Sequence, residues 1–265
     1  TGRNRGALGG IGTQTAGMIA GGFTPGNTSN VEQWDGSSWT EGPMANLPTA
    51  TADCGISGIT TAALVVAGTT PAGGTGVNDV FEGDGSSWTA GGDFPAAKES
   101  VAVRGTQTAA LSVGGSPSTS ALTFEYDGSS WTAGGDYIKT SQKLGMAGVQ
   151  TAAIGYGGGG ASPAGDAATY DGSSWTEITS MSTTRDEFGF STNGTTTLTL
   201  ASGNPSGNTE EWNGTAWTEL ANMGTARKSM FSAGTTTGMW LAGGTPYTTA
   251  AEEWSTPLNI KVITD

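Results

Sequence analysis

Short segments of alternating apolar and polar residues follow one another along the chain, separated by turn-forming residues. One copy reads SVAVRG from Ser100, TAALSV from Thr108, a loop rich in Pro, Ser and Gly, and FEYDGSSWT from Phe124. Alternation with period two between turn clusters is typical of β-strands, and no stretch has the period of a helix. The Asp127-Gly128 pair supplies the positive φ angles that a two-residue hairpin needs. Each copy therefore predicts four short antiparallel strands, A to D.

The four-strand pattern occurs six times. Its motif tryptophans are spaced by 49, 43, 44 and 42 residues, at Trp39, Trp88, Trp131, Trp175 and Trp217. The sixth copy lacks the GSSW sequence after Trp254, and the alternating segment 259–262 is expected to be its fourth strand. Repeated four-stranded units of this length are typical of β-propellers. We predict an all-β chain, a single six-bladed β-propeller over 1–265, with blades at approximately 1–46, 47–95, 96–138, 139–181, 182–223 and 224–265.

The five motif tryptophans are expected to have a structural role. Tyr126 and Trp131 flank the same Asp-Gly turn, so their rings should face each other across the hairpin. Large rings of this kind fill the wedge between neighbouring blades, where the outer strands diverge. Small residues are expected near the axis, where the inner strands crowd together. The first and sixth blades should meet without an exchanged strand.

A double glycine followed by an aromatic residue and a Trp resembles the kelch repeat of β-propellers. The pairs Gly21-Gly22, Gly114-Gly115 and Gly243-Gly244 fit this pattern. The sequences TQTAAL from Thr106 and EEWNGTAWT from Glu210 resemble repeat proteins encoded by marine phages, especially phages of cyanobacteria. The resemblance implies a kelch-like propeller with a role in virion structure or host attachment.

Composition excludes several functional classes. The net charge is −13 with only ten Lys and Arg, which argues against a nucleic-acid partner or an anionic membrane surface. No apolar run is long enough for membrane insertion. The absence of histidine excludes a Ser-His-Asp triad and imidazole-bound copper, and the single Cys54 excludes an intrachain disulfide. We expect no cofactor and no metal. The start at Thr1 without Met is interpreted as a processed product or a piece of a longer protein.

The carboxylates offer two enzymatic hypotheses, both weaker than a binding role. The DGSSW turns invite comparison with the Asp-box of sialidases, but Asp and Gly are adjacent here and the five arginines share no repeat position. Glycoside hydrolysis needs two carboxylates at a set separation. Most carboxylates occur in the Asp-Gly turns or in strand C, as Glu125, Glu210 and Glu252 do, where a solvated strand edge is expected.

The connections from B to C and from D to the next A vary between copies, whereas the A–B and C–D turns are nearly constant. In propellers the variable connections share one face, and binding residues concentrate on such loops. Their aromatic and cationic residues suit sugars or a protein surface. The predicted ligand-binding residues are Phe23, Phe94, Lys98, Tyr137, Lys143, Arg185, Arg227 and Tyr247.

These observations predict a non-enzymatic binding or display module. The leading hypothesis is a virion-associated phage protein, such as part of a tail fibre, located on the virion or outside the cell. It would recognise a host cell-surface glycan or protein through the variable loops. One alternative is a purely structural subunit that packs against neighbouring virion subunits. The other is a glycosidase that acts on host polysaccharide.

Overall fold

The computed structural model of the chain describes residues 10–23, 25–71, 75–160, 164–187, 189–190, 198–201, 207–245, 248–255 and 259–263. Within these ranges the regular secondary structure consists of strands, without any helix. The strands form four-stranded antiparallel sheets, which are arranged as the blades of a β-propeller. The predicted all-β class and the four-stranded antiparallel blade are therefore confirmed.

The strands are numbered here in chain order, four to each sheet. The first sheet comprises β1 (Ile11–Thr13), β2 (Ala16–Ala20), β3 (Val31–Trp34) and β4 (Trp39–Glu41). The second comprises β5 (Gly55–Ile59), β6 (Ala62–Val66), β7 (Val80–Gly83) and β8 (Trp88–Ala90). The third comprises β9 (Ala102–Thr106), β10 (Ala109–Val113), β11 (Thr123–Tyr126) and β12 (Trp131–Ala133).

The remaining strands belong to three further sheets. The fourth comprises β13 (Gly145–Val149), β14 (Ala152–Tyr156), β15 (Ala167–Tyr170) and β16 (Trp175–Ile178). The fifth comprises β17 (Gly189–Phe190), β18 (Leu198–Ala201), β19 (Thr209–Trp212) and β20 (Trp217–Leu220). The sixth comprises β21 (Phe231–Thr235), β22 (Gly238–Ala242), β23 (Ala251–Ser255) and β24 (Asn259–Ile263).

Strands that are consecutive along the chain are neighbours in every sheet. The first strands of successive sheets contact one another, and β21 contacts β1, so first strands lie innermost. Blade geometry identifies five blades among the described residues, one fewer than the repeats predict, although the four-stranded sheets described there number six.

The repeated DGSSW motif is a hairpin turn whose acidic side chain accepts several hydrogen bonds. Asp127 Oδ1 accepts hydrogen bonds from the main-chain N–H groups of Ser129 and Ser130 at 2.8 Å and from Ser129 Oγ at 2.8 Å. These bonds, that from the Ser130 N–H first, lower the pKa of Asp127 to about 2. The turn places Tyr126 directly opposite Trp131, with ring centroids 4.8 Å apart. The acidic residue of the motif therefore closes the turn.

The motif tryptophans lie half-buried between neighbouring sheets. In Trp88, Trp131, Trp175 and Trp217 the indole N–H donates a hydrogen bond across the sheet boundary. Trp88 Nε1 donates to the Ala45 carbonyl at 2.8 Å, and Trp131 Nε1 donates to the Gly92 carbonyl at 3.0 Å. Because both carbonyls belong to the connection that enters the sheet, each ring joins its own sheet to the end of the preceding one.

The double glycines end the second strand where no side chain could fit. A Cβ added to Gly114, whose φ is +75°, would lie 2.4 Å from the carbonyl oxygen of Ser141. The next glycine, Gly115, donates its N–H to that same carbonyl at 3.0 Å. Ser141 belongs to the connection into the next sheet. The Gly-Gly pair therefore joins adjacent sheets through the main chain.

The first and sixth sheets meet through an indole and two glycines rather than through an exchanged strand. Trp240 in β22 is buried, and its Nε1 donates to the carbonyl of Thr13 at 3.1 Å. Its ring packs edge-on against Trp39, with centroids 4.8 Å apart. An added Cβ would lie 2.7 Å from this ring at Gly17 and 2.6 Å from it at Gly10. The two glycines of the first sheet therefore make room for the indole of the sixth.

Gly17→Ala should destabilise the protein by about 1–3 kcal/mol, because the new methyl group overlaps the Trp240 ring. Trp240→Leu should also destabilise it, through lost packing, by about 2–3 kcal/mol. The double variant should cost about 1 kcal/mol less than the sum, since Leu leaves space for the methyl group. Urea unfolding followed by tryptophan fluorescence measures all three free energies.

Gly26→Ala is the matched control, since a Cβ at Gly26 meets no atom within 4 Å. It should change the free energy of unfolding by less than about 0.5 kcal/mol. Strict additivity of Gly17→Ala and Trp240→Leu would show that the two residues do not share this contact.

Candidate functional site on the loop face

The variable connections form one end of the propeller, here called the loop face. Each B–C and D–A connection lies at the opposite end of its strands from the A–B and C–D turns, because the strands are antiparallel. Isolated β-bridges link these connections around the face, for example Glu99 to Ser116, Ser120 to Ser141 and Gln142 to Gly159. A D–A connection therefore bonds to the B–C connections on both of its sides. This main-chain belt holds the side chains of the loop face in place.

Two of the predicted binding aromatics, Phe94 and Tyr137, belong to the hydrophobic core. They are 2% and 4% exposed, so the expectation that they are exposed recognition residues is wrong. Phe94 packs edge-on against Trp131 at 5.0 Å, and Tyr137 packs edge-on against Trp175 at 4.9 Å. One buried apolar residue recurs in each D–A connection, at Met44, Phe94, Tyr137, Met181 and Met223. An apolar residue at this position of every copy can be seen in the sequence, and it indicates a core position.

The predicted binding arginines, Arg185 and Arg227, are each 1% exposed and form internal ion pairs. Arg185 Nη2 pairs with Glu210, and Arg227 Nη2 donates to Glu252 Oε1 at 2.9 Å. Both predicted binding arginines are therefore buried, and the expectation of a solvated strand edge at Glu210 and Glu252 is wrong. A buried arginine needs a carboxylate partner, and the third strand of the fifth and sixth sheets provides one.

The other predicted residues have mixed environments. Lys98 is half-buried and donates from Nζ to the carbonyls of Pro117 and Ser118 at 3.1 and 3.0 Å. Phe23 is also half-buried. Tyr247 lies outside the described residues. Of this set, the structure brings none together into one exposed group.

Lys143 belongs to an ionic cluster around Glu187 in the D–A connections. Glu187 pairs with Lys143 through Oε1, and Oε2 lies 3.1 Å from Lys228 Nζ and accepts from Ser229 Oγ at 2.6 Å. Burial acts to raise the pKa of Glu187, but the hydrogen bonds from Lys143 and Ser229 outweigh it and lower that pKa to about 2. Lys143 is therefore engaged within the protein.

A cavity of about 530 Å³ lies on the loop face, between the connections around the fourth sheet, and can hold a ligand. We call it the loop-face cavity. Its lining combines small polar side chains with glycines and is formed by Tyr137, Lys139, Thr140, Ser141, Gly157, Gly159, Gly160, Ala164, Gly165, Asp166, Ser180, Met181 and Thr184. Hydroxyl groups and main-chain amides thus line part of the space, and apolar surface lines the rest.

One ion pair lies at this cavity. Lys139 Nζ is 2.5 Å from Asp166 Oδ2, and the two side chains are 61% and 23% exposed. An ion pair this exposed contributes little to stability. The ammonium carries three donors and the carboxylate only acceptors, so the two offer a ligand complementary hydrogen bonds at adjacent positions. Neither residue is among the predicted ligand-binding residues, because their pairing across 27 positions is a property of the fold.

The tyrosine in the cavity wall keeps its hydroxyl buried. Among the described residues, Tyr137 Oη has no hydrogen-bond partner. Burial, followed by the negative charges of Asp166 and Glu177, raises the pKa of Tyr137 far above its usual range. The hydroxyl is therefore neutral at pH 7.

Tyr137→Phe should leave the free energy of unfolding unchanged or raise it by up to about 2 kcal/mol, because it removes an unsatisfied buried hydroxyl. Tyr170→Phe is the matched contrast. Tyr170 is equally buried, but its hydroxyl donates to Glu125 Oε1 at 2.6 Å. That variant should be destabilised by about 1.5–3 kcal/mol in urea unfolding. An equal loss in both variants would show that the Tyr137 hydroxyl has a partner.

Glu187→Gln should destabilise the protein at pH 7 by about 2–3 kcal/mol, because it removes charge-assisted hydrogen bonds. The folded-state pKa of about 2 lies below the usual 4.5, so this stabilisation is present above pH 4.5. It is lost as the pH falls from 4.5 towards 2, where wild type and variant should converge. Unfolding free energies measured across this range test the convergence.

Glu177→Gln is the control for this series, since Glu177 is exposed. Its stability should stay within about 0.5 kcal/mol of wild type at each pH. A wild-type advantage over Glu187→Gln that persists undiminished at pH 2.5 would contradict the stabilising role of the Glu187 charge.

Among the described residues, no three His, Cys, Asp or Glu side chains are grouped so that they could hold a metal ion. In that same part of the chain no helix is long and apolar enough to cross a membrane. No family model matches this chain, and no curated protein matches it. The function of the loop-face cavity is therefore inferred from the residues that line it.

Proposed function

We propose that this chain is a non-enzymatic binding module that recognises a cell-surface glycan at the loop-face cavity. The observation that carries this proposal is a cavity of about 530 Å³ with a charged pair beside hydroxyls and glycine amides. Its volume lies within the range of about 300–1,000 Å³ that is usual for small-ligand sites. A glycan fits this lining because neighbouring sugar hydroxyls both donate and accept hydrogen bonds.

The hydrogen-bonding groups in the lining support a sugar as the ligand. Lys139 can donate to one sugar hydroxyl while Asp166 accepts from the next. Ser141 and Thr184 add hydroxyls that donate or accept as the ligand requires. Stacking on an exposed aromatic ring plays no part, since Tyr137 is buried.

A binding role is favoured over hydrolysis at this cavity. Its described lining contributes one carboxylate, Asp166. Glycoside hydrolysis generally uses two carboxylates, on either side of the bond that is cleaved. The glycosidase hypothesis would therefore need a second acid from outside this lining.

The proposed setting is a phage virion, in a tail fibre or another exposed position, where the module would attach to the host. The resemblance of the repeat sequences to marine phage proteins supports this setting. We further propose that the six sheets close as one six-bladed, kelch-like ring. Two observations support this closure. The first strands of successive sheets contact each other, and Trp240 of the sixth sheet donates a hydrogen bond to Thr13 of the first.

A purely structural subunit is the second candidate function, and a specific observation favours it. Phe94, Tyr137, Arg185 and Arg227 on the loop face hold the propeller together instead of facing solvent. A loop face used in this way suits a subunit that packs against neighbouring virion proteins.

Screening the purified chain on a glycan array and on intact host cells tests the proposal. Lys139→Ala and Asp166→Asn should each weaken binding by about tenfold or more, because each removes a charged hydrogen-bonding group worth about 1.4 kcal/mol or more. Both positions are partly exposed, so the variants should fold normally. Thermal unfolding checks this.

Lys98→Ala and Asp93→Asn are the charge-matched controls on the same face, since neither residue lines the cavity. They should bind as wild type does. Binding that is equally strong in all four variants would place the ligand elsewhere. No binding to any glycan or cell would overturn the attachment role and favour the structural subunit.

A further inference from the structure

A second cavity lies at the opposite end of the propeller, here called the turn face, where the A–B turns surround the axis. Its volume is about 360 Å³, and we call it the turn-face cavity. It is lined by the ends of first strands from four different sheets, including Thr13, Ile59, Thr106 and Val149. The cavity is therefore axial, and it shares no residue with the loop-face cavity.

Two exposed apolar side chains stand at the mouth of this cavity. Ile59 and Val149 are 58% and 46% exposed, and both line it. Among the described residues the only other large hydrophobic side chain so exposed is Leu122, in a connection of the loop face. Exposed apolar side chains grouped at a concave site are typical of an interaction surface. The mouth of the turn-face cavity is thus suited to apolar contact with another molecule.

Comparison of the repeats shows that the scaffold does not require apolar residues at the mouth. The position that follows the turn glycine holds Ile59 in the second copy and Val149 in the fourth. The other four copies have threonine there, at Thr13, Thr106, Thr195 and Thr235. Since most copies accept a hydroxyl at this position, the two apolar side chains serve contact rather than folding.

The C–D turns surround this mouth with negative charge. They lie beside the A–B turns, since a Cβ built on Gly128 would lie 3.2 Å from the Cβ of Thr108. Four of them, here called the acidic turns, carry an exposed carboxylate, at Asp35, Asp84, Asp127 and Asp171. In all four, hydrogen bonds from the serines of the turn lower the pKa, so the carboxylates are ionised at neutral pH. Strand spacing places them about 10–14 Å outside the first strands.

The hairpin itself does not need this charge. In the fifth sheet Asn213 takes the place of the aspartate, and its Oδ1 accepts hydrogen bonds from the N–H groups of Thr215 and Ala216 at 2.9 Å each. Asp127 accepts the same two bonds from its own turn. Either residue can close such a turn. The four carboxylates therefore give the turn face a charge beyond what its hairpins require.

No described turn at this end carries a compensating cation. The lysines and arginines of the described turns and connections all belong to the loop face, at Lys98, Lys139, Lys143, Arg185, Arg227 and Lys228. Arg104 of β9 lines the turn-face cavity but is buried, and its guanidinium donates to the carbonyls of Met146 and Ile56. A basic group would be repelled by that charge inside the cavity and attracted to the carboxylates outside it.

We propose that the turn face binds a basic polypeptide segment of a partner protein, which inserts one aliphatic side chain between Ile59 and Val149 and places lysines or arginines against the acidic turns. An apolar centre within a polar rim is the usual anatomy of a protein interface. Complementary charge favours association and selects the partner. Three residues of an extended segment span about 10 Å, so basic residues on either side of the aliphatic one reach the acidic turns.

This site does not depend on the glycan proposal. The two cavities lie at opposite ends of the propeller and share no residue, so either proposal can fail alone.

An acetylated and amidated heptapeptide, KKGLGKK, titrated into ¹³C-methyl-labelled protein tests the proposal by NMR. The methyl signals of Ile59 and Val149 should shift saturably, while those of Leu122 should not move. Replacing the leucine of the peptide by serine should weaken binding by about tenfold, because the apolar contact is lost. Raising the salt concentration from about 20 to about 300 mM should weaken it by about threefold or more, because exposed charge pairs are screened.

Variants at the mouth test the apolar contact. Ile59→Thr with Val149→Thr introduces the residue that the other copies have at both positions. It should leave the fold intact and weaken binding of the peptide by about tenfold. Leu122→Thr is the matched control and should bind the peptide as wild type does. Thermal unfolding checks that each variant is folded.

Variants of the acidic turns test the charge. Asp84→Asn with Asp127→Asn should weaken peptide binding by about threefold and keep the turns, since Asn213 closes the same turn in the fifth sheet. Asp93→Asn with Asp136→Asn removes the same charge from exposed positions of the loop face. This control should bind the peptide as wild type does.

The proposal is overturned if the peptide shifts neither methyl signal at the mouth at millimolar concentration, or if the serine peptide binds as tightly as the leucine peptide. A peptide with serines in place of lysines that binds equally well would make the cavity a site for a neutral apolar molecule instead. A shift of the Ile59 methyl with protein concentration alone would assign the face to contact between two copies of the chain. Equal weakening by the two pairs of Asp→Asn changes would show that only net charge matters, which also contradicts the proposal.

Discussion

The packing of indole rings in the wedge between neighbouring sheets is the interaction on which this structure depends. A four-stranded sheet of such short strands cannot bury both faces alone. The sheets diverge towards their outer strands, and only large rings fill the space that opens. The indole also has a polar N–H, which must find an acceptor once it is half-buried. In Trp88 and Trp131 the acceptor is a carbonyl of the entering connection, so one side chain both fills the wedge and fixes the neighbour.

The strand pattern could be predicted because its determinants are local. An Asp-Gly turn, an aromatic pair on either side of it and a double glycine each act within a few residues. The number of blades is harder to predict than the strand pattern, since it depends on how regular each sheet is. The repeats indicate six blades, whereas blade geometry identifies five among six described four-stranded sheets.

The site could not be predicted from residue type alone. Phe94 and Tyr137 were assigned to the surface because they lie in variable loops, although they share a repeat position with Met44, Met181 and Met223. Comparing that position between copies would have assigned them to the core. No such signal exists for the pairing of Arg185 with Glu210 or of Lys139 with Asp166, because strand register and sheet packing bring these residues together. The cavities likewise exist only once the connections and strand ends are in place.

The contact between Trp240 and the glycines of the first sheet has a consequence for assembly. All other neighbouring sheets are joined by a short covalent connection, whereas this boundary is bridged by non-covalent contacts. The chain keeps its two partners together, so their contact is intramolecular and forms at a raised effective concentration. An interface of modest intrinsic affinity then suffices to close the ring. The same contact offered by a second molecule would have to compete against that internal concentration, which favours closure within one chain over exchange between chains.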